Sequence, residues 1–280
     1  MLKYNGGTMA LFLLILLAFA PAGDACALRS ESALNKGLLW PAPRETGSYR
    51  VRNLATGKLL WDVDWETTRT EGKEETRVEI HEQGRGQPLR YHEPIIWEKR
   101  MVLVIAPVLC ARSMQGSRWS QQGKLLSQAD FHLDPRRRLF LYRDTGGGDG
   151  PEEGTFPWAP QTLPDEFLFH WIRTLEFGRT PAGEFSLLVS PTRRVRMRAL
   201  VRGTEEVKTP AGTFRCYRVE LSPRLGPLEL LPLKSMLVPK VTLWCASDPP
   251  HFWVRYQGPV GGPGSPAALI ELTSFQQASS

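Results

Sequence analysis

Six residues recur almost unchanged in this chain, as Thr180-Pro181-Ala182-Gly183-Glu184-Phe185 and as Thr209-Pro210-Ala211-Gly212-Thr213-Phe214. Proline holds φ at about −65° and glycine reaches positive φ without a steric penalty, so Pro-x-Gly is tight-turn chemistry. After the second copy, Thr213-Phe214-Arg215-Cys216-Tyr217-Arg218-Val219-Glu220-Leu221 alternates and is rich in β-formers. The motif is therefore expected where one strand turns into the next, and the C-terminal half is expected to be an antiparallel meander.

The alternation extends through the rest of the chain. Trp61, Val63 and Trp65 point one way while Asp62, Asp64 and Glu66 point the other. After a turn at Thr70-Glu71-Gly72-Lys73, the chain returns with Val78 and Ile80 inside and Arg77, Glu79 and His81 outside. A symmetric hairpin sets Glu66 opposite Arg77 and Asp62 opposite His81. The three acids then form a solvated strand face, because their spacing follows from the two-residue period of a strand. Residues 95–110 read as one strand covered on both faces. Residues 125–144 read as a hairpin turning at Asp134-Pro135-Arg136-Arg137, with a flexible glycine-rich loop over 144–154. One amphipathic helix is predicted. Thr162 caps it, Pro164 and Asp165 occupy its first turn, and Gly178 ends it. Pro164, Phe167, Leu168, Trp171, Ile172 and Leu175 share its apolar face. Further strands are expected at 184–190, 194–202, 205–209, 213–221, 228–233, 240–245, 252–256 and 268–273. The predicted fold class is mainly β, a large curved antiparallel sheet or half-barrel with one principal α-helix.

Lys3 precedes an apolar run from Ala10 to Ala20, which Pro21 and Gly23 end, and Ala25-Cys26-Ala27 follows with small-x-small spacing. This is the pattern of a secretory signal over residues 1–27, cleaved before Leu28. The run falls short of the roughly 20 apolar residues that span a bilayer. An uncleaved anchor and a lipid-modified Cys26 are the alternatives. Residues 28–280 are expected to form a single β half-barrel domain in the periplasm or cell envelope. The formal charge of +6 suits anionic surfaces, including peripheral membrane contact. An exported chain is not expected to meet nucleic acid. Cys110, Cys216 and Cys245 remain after cleavage. An oxidising compartment permits a disulfide, for which Cys216 and Cys245 in nearby predicted strands are the candidates. The other reading is three buried thiols.

Motifs of catalysis are lacking. The chain has no Gly-x-Ser-x-Gly elbow, no His-Glu-x-x-His, no Cys-x-x-Cys and no phosphate-cradling glycine loop between strand and helix. No catalytic residue, metal ligand or cofactor is assigned. Its nine tryptophans are more informative. Trp61, Trp65, Phe167, Trp171 and Trp244 are the expected lining of a cavity that could hold an acyl chain; the other reading is a plain aromatic core. Arg194, Arg196 and Arg198 alternate with Val195, Met197 and Ala199, giving an outward stripe that suits an anionic partner or simply meets solvent.

Several ordered segments together resemble a known family. They are Leu163-Pro164-Asp165-Glu166, Trp171-Ile172-Arg173, Val201-Arg202-Gly203-Thr204-Glu205-Glu206-Val207, the second hexapeptide, Leu243-Trp244-Cys245-Ala246-Ser247-Asp248 and Val254-Arg255-Tyr256. They resemble a family of exported bacterial β-proteins of unassigned function. Its plan is similar to the curved half-barrels of periplasmic lipoprotein carriers, in which a helix closes the mouth of an apolar cavity. The resemblance covers residues 160–273, and the N-terminal half matches only in general character. It implies the fold and lends no catalytic residue. The expected function is that of a non-enzymatic exported envelope protein binding a lipid or lipidated partner in its curved sheet. The alternatives are an envelope interaction protein with a filled core, or an unrecognised hydrolase.

Overall fold

The computed structural model describes residues 40, 42–88, 92–105, 109–146, 151–158, 162–178, 182–190, 193–224, 241–260 and 265–278. All of its strands fall in one unit, Leu34–Ser280. The signal segment, its cleavage site, Cys26 and the strand expected at 228–233 lie outside the described residues. The strands are β1 (Arg44–Asn53), β2 (Leu59–Glu71), β3 (Thr76–Gly86), β4 (Ile95–Ile105), β5 (Leu109–Ser120), β6 (Leu125–Asp134), β7 (Leu139–Asp144), β8 (Glu152–Pro157), β9 (Thr162–Pro164), β10 (Gly183–Ser190), β11 (Arg193–Thr209), β12 (Gly212–Pro223), β13 (Val241–Ala246), β14 (Trp253–Pro259) and β15 (Ala267–Gln277). One short helix, α1 (Leu168–Trp171), is flanked by 3-10 turns at Asp165–Phe167 and Ile172–Thr174.

These strands form one 15-stranded curved sheet in the order β8-β7-β6-β5-β4-β3-β2-β1-β15-β14-β13-β12-β11-β10-β9. Neighbours are antiparallel except β9 and β10, which run parallel. β1 and β15, far apart in sequence, pair over nine residue positions in the middle of the sheet. Two wings, β1–β8 and β9–β15, meet at this seam. The edge strands β8 and β9 are separated only by residues 158–161, so five Cα–Cα steps hold the two edges within about 18 Å of each other. That tether requires the sheet to curl. β9 and the helical turns sit against the face of β1–β8 that carries Ile80, Met101 and Phe131, here called the inner face; Phe131 and Phe167 have ring centroids 6.0 Å apart.

Local chemistry accounts for the turns. Asn53 Oδ1 accepts the amides of Ala55 and Thr56, while Gly57, at φ 69°, closes the β1–β2 turn. Asp134 Oδ1 accepts the amides of Arg136 and Arg137 in the same manner at the expected β6–β7 turn. The second hexapeptide does turn strand into strand, with Thr209 opposite Gly212. The first copy does not: its described residues lead from the helical turns into β10, where the Glu176 amide donates to Ala182 O.

Several expectations are corrected. The β2–β3 hairpin pairs Glu66 with His81, Thr70 with Arg77 and Asp62 with Arg85. The turn lies later than expected, with the Gly72 amide bonded to Glu75 O. The shift is an even number of residues, so every side chain keeps its predicted face while changing its partner. Asp62, Asp64 and Glu66 bond instead across to β1: Arg50 to Asp62 at 3.0 Å, Ser48 to Asp64 at 2.5 Å and Arg44 to Glu66 at 2.7 Å. The apolar stretch 95–110 is divided between β4 and β5. Glu152–Gly154, expected in a loop, opens β8 and pairs with β7. The strands expected at 194–202 and 205–209 are one strand, β11, bulged between Val201 and Gly203. The long helix is absent among the described residues. Thr162 and Pro164 belong to β9, where pairing with β10 replaces the cap, and the helical turns end at Thr174. Its predicted apolar face is nonetheless buried throughout.

Of the two cysteine readings, the structure has free thiols in place of the Cys216–Cys245 disulfide: Cys216 and Cys245 are buried and Cys110 is partly so. Tyr217, not Cys216, lies opposite Cys245, so the two sulfurs start from opposite faces of the sheet. Burial pushes the Cys216 thiol up to about 12 and raises Cys245 too, which leaves both unreactive.

Candidate functional site

The aromatic residues expected to line a cavity are packed. Trp65 (5% exposed), Phe167 (0%) and Trp171 (8%) belong to the main core. Trp65 lies against Tyr49, His170 and Phe275, and Trp171 lies 4.3 Å from Phe185. Trp61 is half-buried, edge-on to Trp97 at 6.2 Å. Trp244, also buried in the core at 8% exposed, approaches from the other side. It neighbours Leu243 and Cys245 on β13, so it points to the other face, opposite Arg218 and Arg255. There its Nε1 donates to Glu205 Oε1 and its ring lies 5.9 Å from the Arg255 guanidinium.

Glycine explains how the large rings fit without leaving a hollow. Trp65 is paired with Gly47 and Trp97 with Gly84. A Cβ at Gly47 would stand 2.7 Å from the Trp65 ring, and one at Gly84 would stand 2.0 Å from the Trp97 ring. Each indole therefore lies flat over the backbone of the neighbouring strand, filling the inner face instead of walling a cavity.

The inner face carries charge that alternation alone did not advertise. One register row runs Trp65, Glu82, Lys99, Gly116, Ala129 and Asp144 across β2–β7. The adjoining row is Thr67, Ile80, Met101, Met114, Phe131 and Tyr142. The helical turns bring Asp165, Glu166 and His170 to this polar row. His170 Nε2 stands 3.7 Å from Glu82 Oε1. Burial would raise the Glu82 carboxyl, but the neighbouring His170 and the charge of Lys99 outweigh it and hold Glu82 below its ordinary value. Arg118 adds a cation 3.8 Å from Asp144.

Asp165 and Glu166 form a hydrogen-bonded carboxyl pair. Although Asp165 is open to water, desolvation by the surrounding protein and the charge of Glu166 push its carboxyl well above the usual carboxylate range. Desolvation opposes ionisation of Glu166 as well, yet the Asp165 hydrogen bond, Lys99 and Arg118 bring it below its ordinary value. Of the two, Asp165 is therefore the one that holds its proton to the higher pH. Such a pair can hold a proton or receive a cation. Its Asp165 member favours folding at low pH, and that contribution is lost as pH rises from about 3.8 through the raised value. Asp165→Asn should accordingly gain stability relative to the parent between pH 4 and pH 8, by no more than about 1 kcal/mol because solvent screens the site. Urea melts across that range check it; a constant difference between the two proteins would contradict the assignment.

The arginine stripe is where it was expected. Arg194 and Arg196 are exposed, while Arg198 is half-buried and donates to Ser222 Oγ at 3.2 Å. Two hollows of the described surface lie elsewhere. Two open grooves, of about 710 and 340 Å³, share Glu66 and His81 and cross the polar face of β1–β6.

No family model matches the chain, and no curated protein matches it. Among solved structures, it is similar to one described as an exported protein with a YmcC-like fold, from Bacteroides fragilis. That match has 13% identity and a TM-score of 0.37, covering 83% of this chain and 95% of the other. A chain described as a lipoprotein from Parabacteroides distasonis matches with 12% identity and a TM-score of 0.36, over 85% of this chain and 98% of that one.

Proposed function

We propose that this chain is an exported, non-enzymatic protein of the cell envelope that acts through the outer surfaces of its sheet and carries no lipid in its interior. The observation behind this reading is the filling of the inner face by the chain itself: Phe167 and Ile172 have no exposed surface, and Trp65 and Trp97 lie over glycines. The pattern of Lys3, the Ala10–Ala20 run and Ala25-Cys26-Ala27 supports export. A carrier needs a hollow that takes most of its ligand's surface, and the aromatic residues suited to line one are consumed in packing.

Mass spectrometry of an apolar extract from protein purified out of the envelope tests the reading. No lipid should accompany the protein in molar amount, and the amino terminus should be Leu28. One lipid per chain would overturn the proposal in favour of a carrier. A hydrolytic role is the second reading, favoured by the Asp165–Glu166 pair beside His170 and Glu82. It asks for a substrate-sized hollow at that pair, whereas both grooves named above lie on the opposite face of the sheet.

A further inference from the structure

The exposed large hydrophobic residues of the described chain are Leu54, Leu59, Ile96, Leu125 and Leu126, each between 38% and 47% exposed. All five lie at one end of the β1–β8 wing. Leu54 is in the β1–β2 turn, Leu59 begins β2, Ile96 is the second residue of β4, and Leu125 and Leu126 begin β6. In an antiparallel meander the first, third and fifth connections share an end, so these positions form one rim. The register brings them together: Arg85, Ile96, Trp119 and Leu125 are successive neighbours across β3–β6. Six strands at the usual spacing make this rim about 24 Å wide. The opposite end is different. Its described turns present Gly72, Lys73, Glu74 and Glu75, then Pro135, Arg136, Arg137 and Arg138, with no large hydrophobic exposed.

The rim is also cationic. The three connections and the strand ends beside them carry Arg52, Lys58, Arg85 and Lys124, which make no ion pair within the described residues, against one exposed acid, Glu93, while nearby Asp62 is held by Arg50. Aliphatic and indole groups set level with unpaired cations on a protruding edge fit a surface that is apolar beneath and anionic at its face. A second copy of the same rim would bring like charges together, which disfavours self-association.

We infer that this rim docks on an anionic phospholipid bilayer, with its aliphatic residues entering the headgroup layer and its cations meeting the phosphates. The inference rests on the reading that the protein works through its surface. The experiment is co-sedimentation of the purified chain with vesicles of phosphatidylcholine alone or with one-third phosphatidylglycerol, at low and high salt. Binding is expected only with the anionic lipid, and it should weaken with salt. The Ile96→Asp, Leu125→Asp double variant should bind at least about tenfold more weakly, since each lost aliphatic group removes apolar burial. Lys58→Glu with Lys124→Glu should lose at least about fivefold per cation. Arg136→Glu with Arg137→Glu, which removes the same charge from the opposite end, should bind almost like the parent. Equal binding to neutral vesicles, parent-like binding by the rim variants, or an equal loss from the opposite end would each overturn the inference. A co-purified lipid would end the surface reading without altering the vesicle result, and failed vesicle binding with a lipid-free extract would end the rim inference alone.

Discussion

Replacing Glu45 with alanine is expected to destabilise the domain by about 3–5 kcal/mol, because it removes one member of a fully buried ion pair. The side chains are 0% and 3% exposed, and Arg173 Nη2 stands 2.8 Å from Glu45 Oε2. Gln277 of β15 donates to the other carboxylate oxygen at 3.1 Å, and the guanidinium lies 5.0 Å from the Trp40 ring. One ion pair therefore joins β1, β15 and the helical turns. For a domain of this size the loss corresponds to a melting temperature lower by about 6–20 °C. Arg173→Met alone should be comparably damaging. Replacing both residues with apolar ones of similar volume should recover much of the loss, because the desolvation penalty goes with the charges. Thermal and urea melts of the two single variants and the double variant decide the matter, and single variants within about 1 kcal/mol of the parent would refute it.

Phe167→Ala should cost about 3–5 kcal/mol by a different route, the loss of a fully buried ring and the void left behind. Phe167 packs beneath Phe131 and is flanked in sequence by the buried Leu168. Its removal empties space on the inner face beside Phe131 and the core cluster, and apolar voids stay dry and admit small apolar molecules. The variant should bind benzene or xenon, detectable as a ligand-dependent rise in its melting temperature, while the parent should not. A parent that bound them equally well would have a hollow interior, against the packing seen here.

Side-chain parity was easier to read from the chain than strand partners. The faces of β2 and β3 are those expected, since one face of each strand is apolar and an odd slip would bury Asp62 and Asp64. An even slip carries no such penalty, so the choice between Arg77 and His81 opposite Glu66 depended on turn geometry at Gly72–Glu75. The helix was over-read for a related reason. Thr162 and Pro164 suit a helix start and a short edge strand alike, and only the presence of β10 beside them decides. The polar inner row left a trace that could have been found: Lys99 sits between Trp97 and Met101, and Glu82 follows Ile80, both at inward positions of their strands. The partners of those charges come from the helical turns, far away in sequence, and no local pattern names them. The role of the tryptophans was ambiguous because the glycines beneath Trp65 and Trp97 belong to neighbouring strands, 18 and 13 positions away.

The seam between β1 and β15 has a consequence for how the polypeptide matures. The first and last strands are mutual neighbours at the centre of the sheet, so neither wing has its inner partner until synthesis is nearly complete. Contacts this distant in sequence also form slowly. The seam can close only after β15 has been made, so the complete 15-stranded sheet forms last of all, whatever pairing its two wings reach before then.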